Sequence, residues 1–63
     1  MKRVVRNIVG MVLREGDEEL EVTGQYEEDG EVWIIVDGDF EVPIGDILEV
    51  NDLLTGQSYL KFK

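Results

Sequence analysis

The stretch QYEEDGEVWIIVDGDFEVPI, residues 25–44, decides the predicted fold. Its centre, EVWIIVD at 31–37, is apolar on both side-chain faces, which is typical of a strand covered on both sides or of one that closes a barrel. Residues 40–44, FEVPI, alternate between apolar and polar, as a half-buried strand does. Pro43 has no amide proton for a sheet ladder, so this strand is expected at a sheet edge or a strand end. The two segments together predict an antiparallel hairpin.

Short acidic segments with glycine mark the turns between the predicted strands. Turns are expected at 15–17, 28–30 and 37–39, where Gly and Asp occur together. Between the first two turns, residues 18–27 alternate and predict another half-buried strand. Four residues are expected on the inner face of that strand: Leu20, Val22, Gly24 and Tyr26.

Both ends of the chain are also predicted to be extended. Residues 2–14, KRVVRNIVGMVLR, contain four valines and one isoleucine, and β-branched residues favour strands. Gly10 is expected at a bulge or bend of this long first strand. Residues 57–63, QSYLKFK, alternate and predict the last strand.

The pattern changes to a helical one between the fourth and the last predicted strand. Asp46 is a candidate N-cap, and Ile47, Val50 and Leu54 follow at roughly helical spacing. Gly56 is expected to end the segment. One or two helical turns are therefore predicted here.

Five strands with a helical turn between the fourth and fifth form an all-β domain over residues 1–63. This element order resembles the SH3-like small barrel, the shape used by SH3, Tudor and Sm-type modules. The resemblance is one of topology, and it implies that the last strand pairs with the first. An OB-fold is the nearest alternative, but it generally uses more residues. Trp33 and Phe40 are expected in the core, whereas Tyr26 and Tyr59 are candidates for either the core or a contact surface.

The chain carries 15 acidic and 6 basic residues, for a formal net charge of −9. All the acidic residues lie between Glu15 and Asp52, and the basic residues lie near the two ends of the sequence. If the first and last strands pair, an acidic rim of turns is expected opposite a small basic patch. The expected members of that patch are Lys2, Arg3, Arg6, Lys61 and Lys63.

Residue content argues against most enzyme chemistry. The chain has no His or Cys and a single serine, Ser58, so Ser-, Cys- and His-based catalysis is not expected. Asp37, Asp39 and Glu41 could align three carboxylates, but Asp-Gly-Asp is more often a hairpin turn, and the EF-hand pattern is absent. We therefore expect a non-enzymatic protein without a cofactor or metal. A cytoplasmic location without a membrane partner is also expected.

The charge pattern favours an interaction module that binds a basic protein surface or peptide. A sharper form of this hypothesis is a DNA-mimic inhibitor. The alternatives are a structural or designed barrel with no dedicated ligand, nucleic-acid binding through the basic termini, which the net charge opposes, and self-association through edge strands. The candidate contact residues are Glu27, Glu28, Asp29, Glu31, Asp37, Asp39, Glu41, Tyr26 and Tyr59.

Added salt is expected to raise the melting temperature of the protein. The 15 carboxylates repel one another more in the compact folded chain than in the expanded unfolded chain. Thermal melts between about 10 mM and 1 M NaCl, where the Debye length falls from about 30 to 3 Å, measure this effect. A melting temperature that falls with salt would show instead that local ion pairs dominate.

Overall fold

Residues 6–63 are described by a computed structural model, in which the chain is all-β. One 3-10 turn, Ile44–Asp46, joins the fourth strand to the fifth, and no α-helix occurs within residues 6–63. The six strands are β1 (Val12–Glu15), β2 (Glu18–Glu28), β3 (Glu31–Val36), β4 (Phe40–Pro43), β5 (Ile47–Asn51) and β6 (Ser58–Phe62).

The strands form one curled sheet in the order β4-β3-β2-β1-β6-β5, with the shape of a half-barrel. Neighbouring strands are antiparallel except β1 and β6, which are parallel. The first part of β2 pairs with β1 and its later part pairs with β3, so this long strand belongs to both halves of the sheet. The edges of the sheet are β4, which contains Pro43, and β5.

The predicted hairpin turns are confirmed. β2 and β3 are joined by a two-residue loop in which Asp29 and Gly30 have φ angles of 52° and 79°. Positive φ at both central residues is typical of the turn whose twist matches that of the flanking strands. The other two turns lie between β1 and β2, at 16–17, and between β3 and β4, at 37–39.

A β-bulge interrupts β2. The register of its pairing with β3 shifts between Val22 and Gly24, which leaves Thr23 as an extra residue. An extra residue reverses the alternation of side chains beyond it. Leu20 and Val22 therefore face inward, whereas Tyr26 faces outward, and the prediction that all these residues share one face is wrong.

Side chains of the bulge and of the β3–β4 turn hold this kink in place. The Thr23 hydroxyl donates to the Ile35 carbonyl at 3.3 Å and accepts the Gly38 N–H at 2.9 Å. The Asp37 carboxylate accepts the Glu21 N–H at 3.1 Å, and the Asp37 N–H donates to the Glu21 carbonyl at 2.9 Å. The β3–β4 turn is thereby fastened to the middle of β2.

The core lies on the inner face of the curled sheet. In β3, Val32, Ile34 and Val36 are buried, whereas Trp33 and Ile35 are half-buried on the outer face. The predicted division of β3 into two faces is correct, but the prediction that Trp33 is a core residue is wrong. The other buried apolar residues are Ile8, Leu13, Val22, Ile47 and Leu60.

The first strand is shorter than predicted. It begins at Val12, and residues 2–5 of the predicted strand lie outside the described residues. Gly10 has a φ of 97° and donates its N–H to the Val22 carbonyl at 2.8 Å, so the expected bend is present but precedes the strand. The bend places Ile8 in the core.

The predicted helical turns after Asp46 are wrong. Residues 47–51 form β5, which pairs with β6 and buries Ile47. The spacing of Ile47, Val50 and Leu54 fits a helix locally, but pairing with a distant strand outweighs that local preference. The sheet therefore has six strands where the sequence predicted five.

Replacement of Asp37 by alanine is expected to cost about 1–2 kcal/mol of unfolding free energy, because it removes the acceptor for the Glu21 N–H and places alanine at a positive φ. Urea unfolding measures the change. Asp39→Ala, in the same turn, is the control and should stay within about 0.5 kcal/mol. Equal losses in the two variants would contradict the role assigned to Asp37.

Candidate protein-binding cleft

An apolar cleft of about 390 Å³ opens on the inner face of the sheet. It lies where the edge strand β4 faces the ends of β1 and β6. Its apolar lining consists of Leu13, Leu20, Val36, Phe40, Val42 and Phe62, and its remaining lining residues are Glu15, Glu18 and Glu41.

The cleft is open because the sheet does not close over it. Phe40 pairs with Val36 and so shares its inner face, as predicted, yet 60% of the Phe40 surface is exposed. The prediction that Phe40 is buried in the core is therefore wrong. Phe62, at the end of β6, is 37% exposed. These two phenylalanines form walls of a groove in place of a closed core.

Carboxylates border this apolar groove. Glu15 and Glu18 are directly opposite each other across the β1–β2 turn, and like charges in that position destabilise a sheet. Glu41 of β4 also lines the cleft, but it pairs with Ile35 of the outer face, where its carboxylate accepts the Tyr26 hydroxyl. The cleft thus combines an apolar floor with a negative border, an arrangement that suits a ligand with both apolar and cationic groups.

The outer face of the β2–β3–β4 region carries a second group of candidate residues. Tyr26 and Trp33 are cross-strand partners, and the Tyr26 hydroxyl donates to Glu41 Oε1 at 2.9 Å. The hydrogen bond to the Glu41 carboxylate raises the pKa of Tyr26 above its ordinary value near 10, with smaller contributions from desolvation and from the negative charges of Glu41 and Glu28.

The predicted contact residues do not form one site. The four acidic residues near the β2–β3 turn lie at the end of β2 remote from the cleft. Asp37 and Asp39 lie in the β3–β4 turn, where Asp37 holds the bulge. Tyr59 lies on β6 beneath the Arg14 guanidinium, whose central carbon is 4.2 Å from the ring centroid. Only Glu41 of the predicted set lines the cleft. The residues at the remote turn are Glu27, Glu28, Asp29 and Glu31.

The predicted basic patch is not assembled by its described members. Arg6 forms an ion pair with Glu49, whose strand partner Leu60 faces the core. Lys61 follows Leu60 and so projects from the opposite face. Lys2 and Arg3 of the predicted patch lie outside the described residues.

Within residues 6–63, no three acidic side chains are placed to hold a metal ion. The same residues contain no helix with the length and apolarity needed to cross a membrane.

Sequence reasoning missed most of the cleft. Leu20 was expected on an inner strand face and Phe40 in the core, but alternation does not reveal which inward side chains lie beneath an opening. Glu15 was expected in a turn and Glu18 at the start of the strand that follows it. The sequence signal for the cleft was Phe40 between two carboxylates, Asp39 and Glu41.

Comparison with protein-family models, with curated proteins and with solved structures gave no match for this chain.

Replacement of Glu41 by glutamine is expected to lower the pKa of Tyr26 toward its ordinary value, because the charged acceptor is removed. Titration of tyrosinate absorbance at alkaline pH measures this shift, and a Tyr59→Phe background leaves Tyr26 as the only tyrosine. Because the folded-state pKa is raised, the bond contributes stability below pH 10 that is lost as the pH rises through the folded pKa. An unchanged titration in Glu41→Gln would contradict the assigned hydrogen bond.

Proposed function

We propose that this protein is a non-enzymatic module that binds a basic segment of another protein. An apolar side chain of that segment enters the cleft, and flanking Lys or Arg side chains contact Glu15 and Glu18. The observation that carries the proposal is the open apolar groove bordered by the Glu15 and Glu18 carboxylates.

The apolar part of the cleft supplies the anchor for the ligand. Phe40 and Phe62 keep substantial exposed surface beside the buried Leu13 and Val36. Removing apolar surface from water stabilises a complex by roughly 1.5–3 kcal/mol for each large side chain that becomes fully buried. A single leucine or phenylalanine of the partner would therefore dominate the affinity, as anchors do in other protein interfaces.

The carboxylates supply selectivity and speed of association. A protein with a net charge of −9 attracts cationic partners over a distance of about a Debye length, roughly 8 Å at physiological salt. Complementary charge mainly raises the association rate and excludes acidic competitors. The direct opposition of Glu15 and Glu18 is relieved when a partner's cation lies between them.

DNA mimicry is less well supported than binding of a basic peptide. A mimic needs carboxylates arrayed along one surface. Here the acidic residues cluster at the two ends of β2, one cluster around Glu18 and the other around Glu28. The ten residue steps from Glu18 to Glu28 span about 33 Å of extended strand.

We also propose that the sheet is an opened SH3-like barrel. The 3-10 turn between β4 and β5 and the pairing of the last strand with β1 support this relation. The sixth strand and the parallel β1–β6 pairing depart from it. A cytoplasmic location is proposed with it, since a cationic protein segment would be met there.

A fluorescent lysine-rich peptide with one central leucine tests the proposed function by anisotropy titration. Binding is expected, and replacing the leucine by serine should weaken it at least ~10-fold, which corresponds to about 1.4 kcal/mol. Phe40→Ser, at an exposed wall of the cleft, should produce a similar loss.

Two matched double variants test the charged border. Glu15→Gln with Glu18→Gln should weaken binding about 3- to 10-fold and reduce its salt dependence. Glu28→Gln with Glu31→Gln removes the same charge from another pair that flanks a two-residue turn, remote from the cleft, and should change affinity less than about twofold. Equal effects of the two pairs, or binding that ignores the central leucine, would refute the proposal.

A further inference from the structure

The loop between β5 and β6, residues 52–57, exposes two leucines completely. Leu53 and Leu54 have 94% and 97% of their surface in contact with solvent. They are the most exposed large apolar side chains of the described chain. Adjacent exposed leucines contribute nothing to this fold, and such surfaces commonly mark a contact with another molecule.

Hydrogen bonds hold this loop in a defined shape. The Asp52 N–H donates to the Gln57 carbonyl at 2.8 Å, and the Gly56 N–H donates to the Asp52 carbonyl at 2.8 Å. The Asp52 carboxylate accepts the Leu54 N–H at 2.9 Å. The two leucines are therefore presented outward by an ordered backbone, which reduces the entropy lost when they bind.

We propose that the loop of one copy inserts Leu53 and Leu54 into the cleft of a second copy. A copy cannot fill its own cleft in this way. The loop precedes Ser58 at one end of β6, whereas Phe62 lines the cleft at the other end. Four residues of extended strand separate the two by about 13 Å.

Size permits this insertion. The cavity left when one leucine side chain is removed from a core is on the order of 150 Å³. The cleft, at about 390 Å³, is larger than two such volumes. Two leucine side chains can therefore enter it together.

Charge also favours this occupant. Residues 53–57 contain no charged side chain, whereas Glu15 and Glu18 border the cleft. The loop region can thus approach the cleft with less repulsion than the acidic turns of the same chain. The one carboxylate within the loop, Asp52, is bonded to the loop's own backbone.

The contact is expected to be weak and reversible. Two leucines and a shallow cleft bury much less than the about 800 Å² per partner found in stable complexes. Repulsion between two molecules of charge −9 weakens the contact further at low salt. Self-association should therefore appear at high micromolar to millimolar concentration and strengthen as salt is added.

Self-association does not require the basic partner proposed above, although the loop and the basic segment would occupy the same cleft. Self-association would keep the cleft covered at high protein concentration, and a basic partner would have to displace the loop. The Leu53→Ser, Leu54→Ser variant retains its cleft, so peptide binding to that variant tests the proposed function separately.

Complementation between two variants tests the inserted loop. The loop variant carries Leu53→Ser and Leu54→Ser, and the cleft variant carries Phe40→Ser; all three positions are exposed, so both variants should fold. Sedimentation equilibrium at high salt should show self-association of each variant at least ~10-fold weaker than that of the wild type. A mixture should associate again, because one variant supplies the cleft and the other supplies the loop.

The control is Leu48→Ser, which removes another exposed leucine from β5 and should associate as the wild type does. In NMR spectra of the isotope-labelled loop variant, addition of the unlabelled cleft variant should shift the resonances of the cleft residues. A mixture that fails to associate would overturn the proposal. The proposal would also be overturned if the wild type stayed monomeric at millimolar concentration. The same holds if the loop variant associated as strongly as the wild type, which would point to contact through edge strands. Loop-dependent binding to phosphatidylcholine vesicles without pairing in the mixture would point to a lipid surface and would also overturn it.

Discussion

The β-bulge at Thr23 is the constraint on which the rest of the structure depends. β2 pairs with β1 before the bulge and with β3 after it. The extra residue lets one strand bend between two partners and reverses the side chains that face inward. Gln25 therefore lies on the inner face and Tyr26 lies beside Trp33 on the outer face. The bulge thus determines both the composition of the core and the position of the aromatic residues.

Gln25 explains why the half-barrel is covered at one end and open at the other. Its side chain accepts the Ile8 N–H at 2.9 Å and donates to the Arg6 carbonyl at 3.2 Å. Arg6 in turn pairs with Glu49 on β5. The segment before β1 thereby spans the inner face from β2 to β5 and places Ile8 in the core. No segment among residues 6–63 has this role at the other end, where Phe40 and the cleft are exposed.

Local chemistry made part of this structure predictable. The three turns follow from Gly and Asp at positive φ, and the two faces of β3 follow from strict alternation. The bulge was not predictable, because Thr23 and Gly24 fit an uninterrupted alternation equally well. Residues 47–51 fit helical spacing and become a strand only through pairing with β6. The cleft is open because no strand among residues 6–63 lies opposite Phe40, and a linear pattern does not record such an absence.

The abundance of carboxylates is consistent with an open architecture. A chain of 63 residues buries a small core, and this one leaves Phe40, Leu53 and Leu54 in water. Such surfaces promote indiscriminate association unless net charge keeps the molecules apart. A net charge of −9 provides that repulsion. The repulsion is weakest around residues 53–63, which contain no acidic side chain. Under the two proposals above, this charge attracts cationic segments to the cleft, and residues 53–57, which have no charged side chain, meet less repulsion there than the acidic turns do.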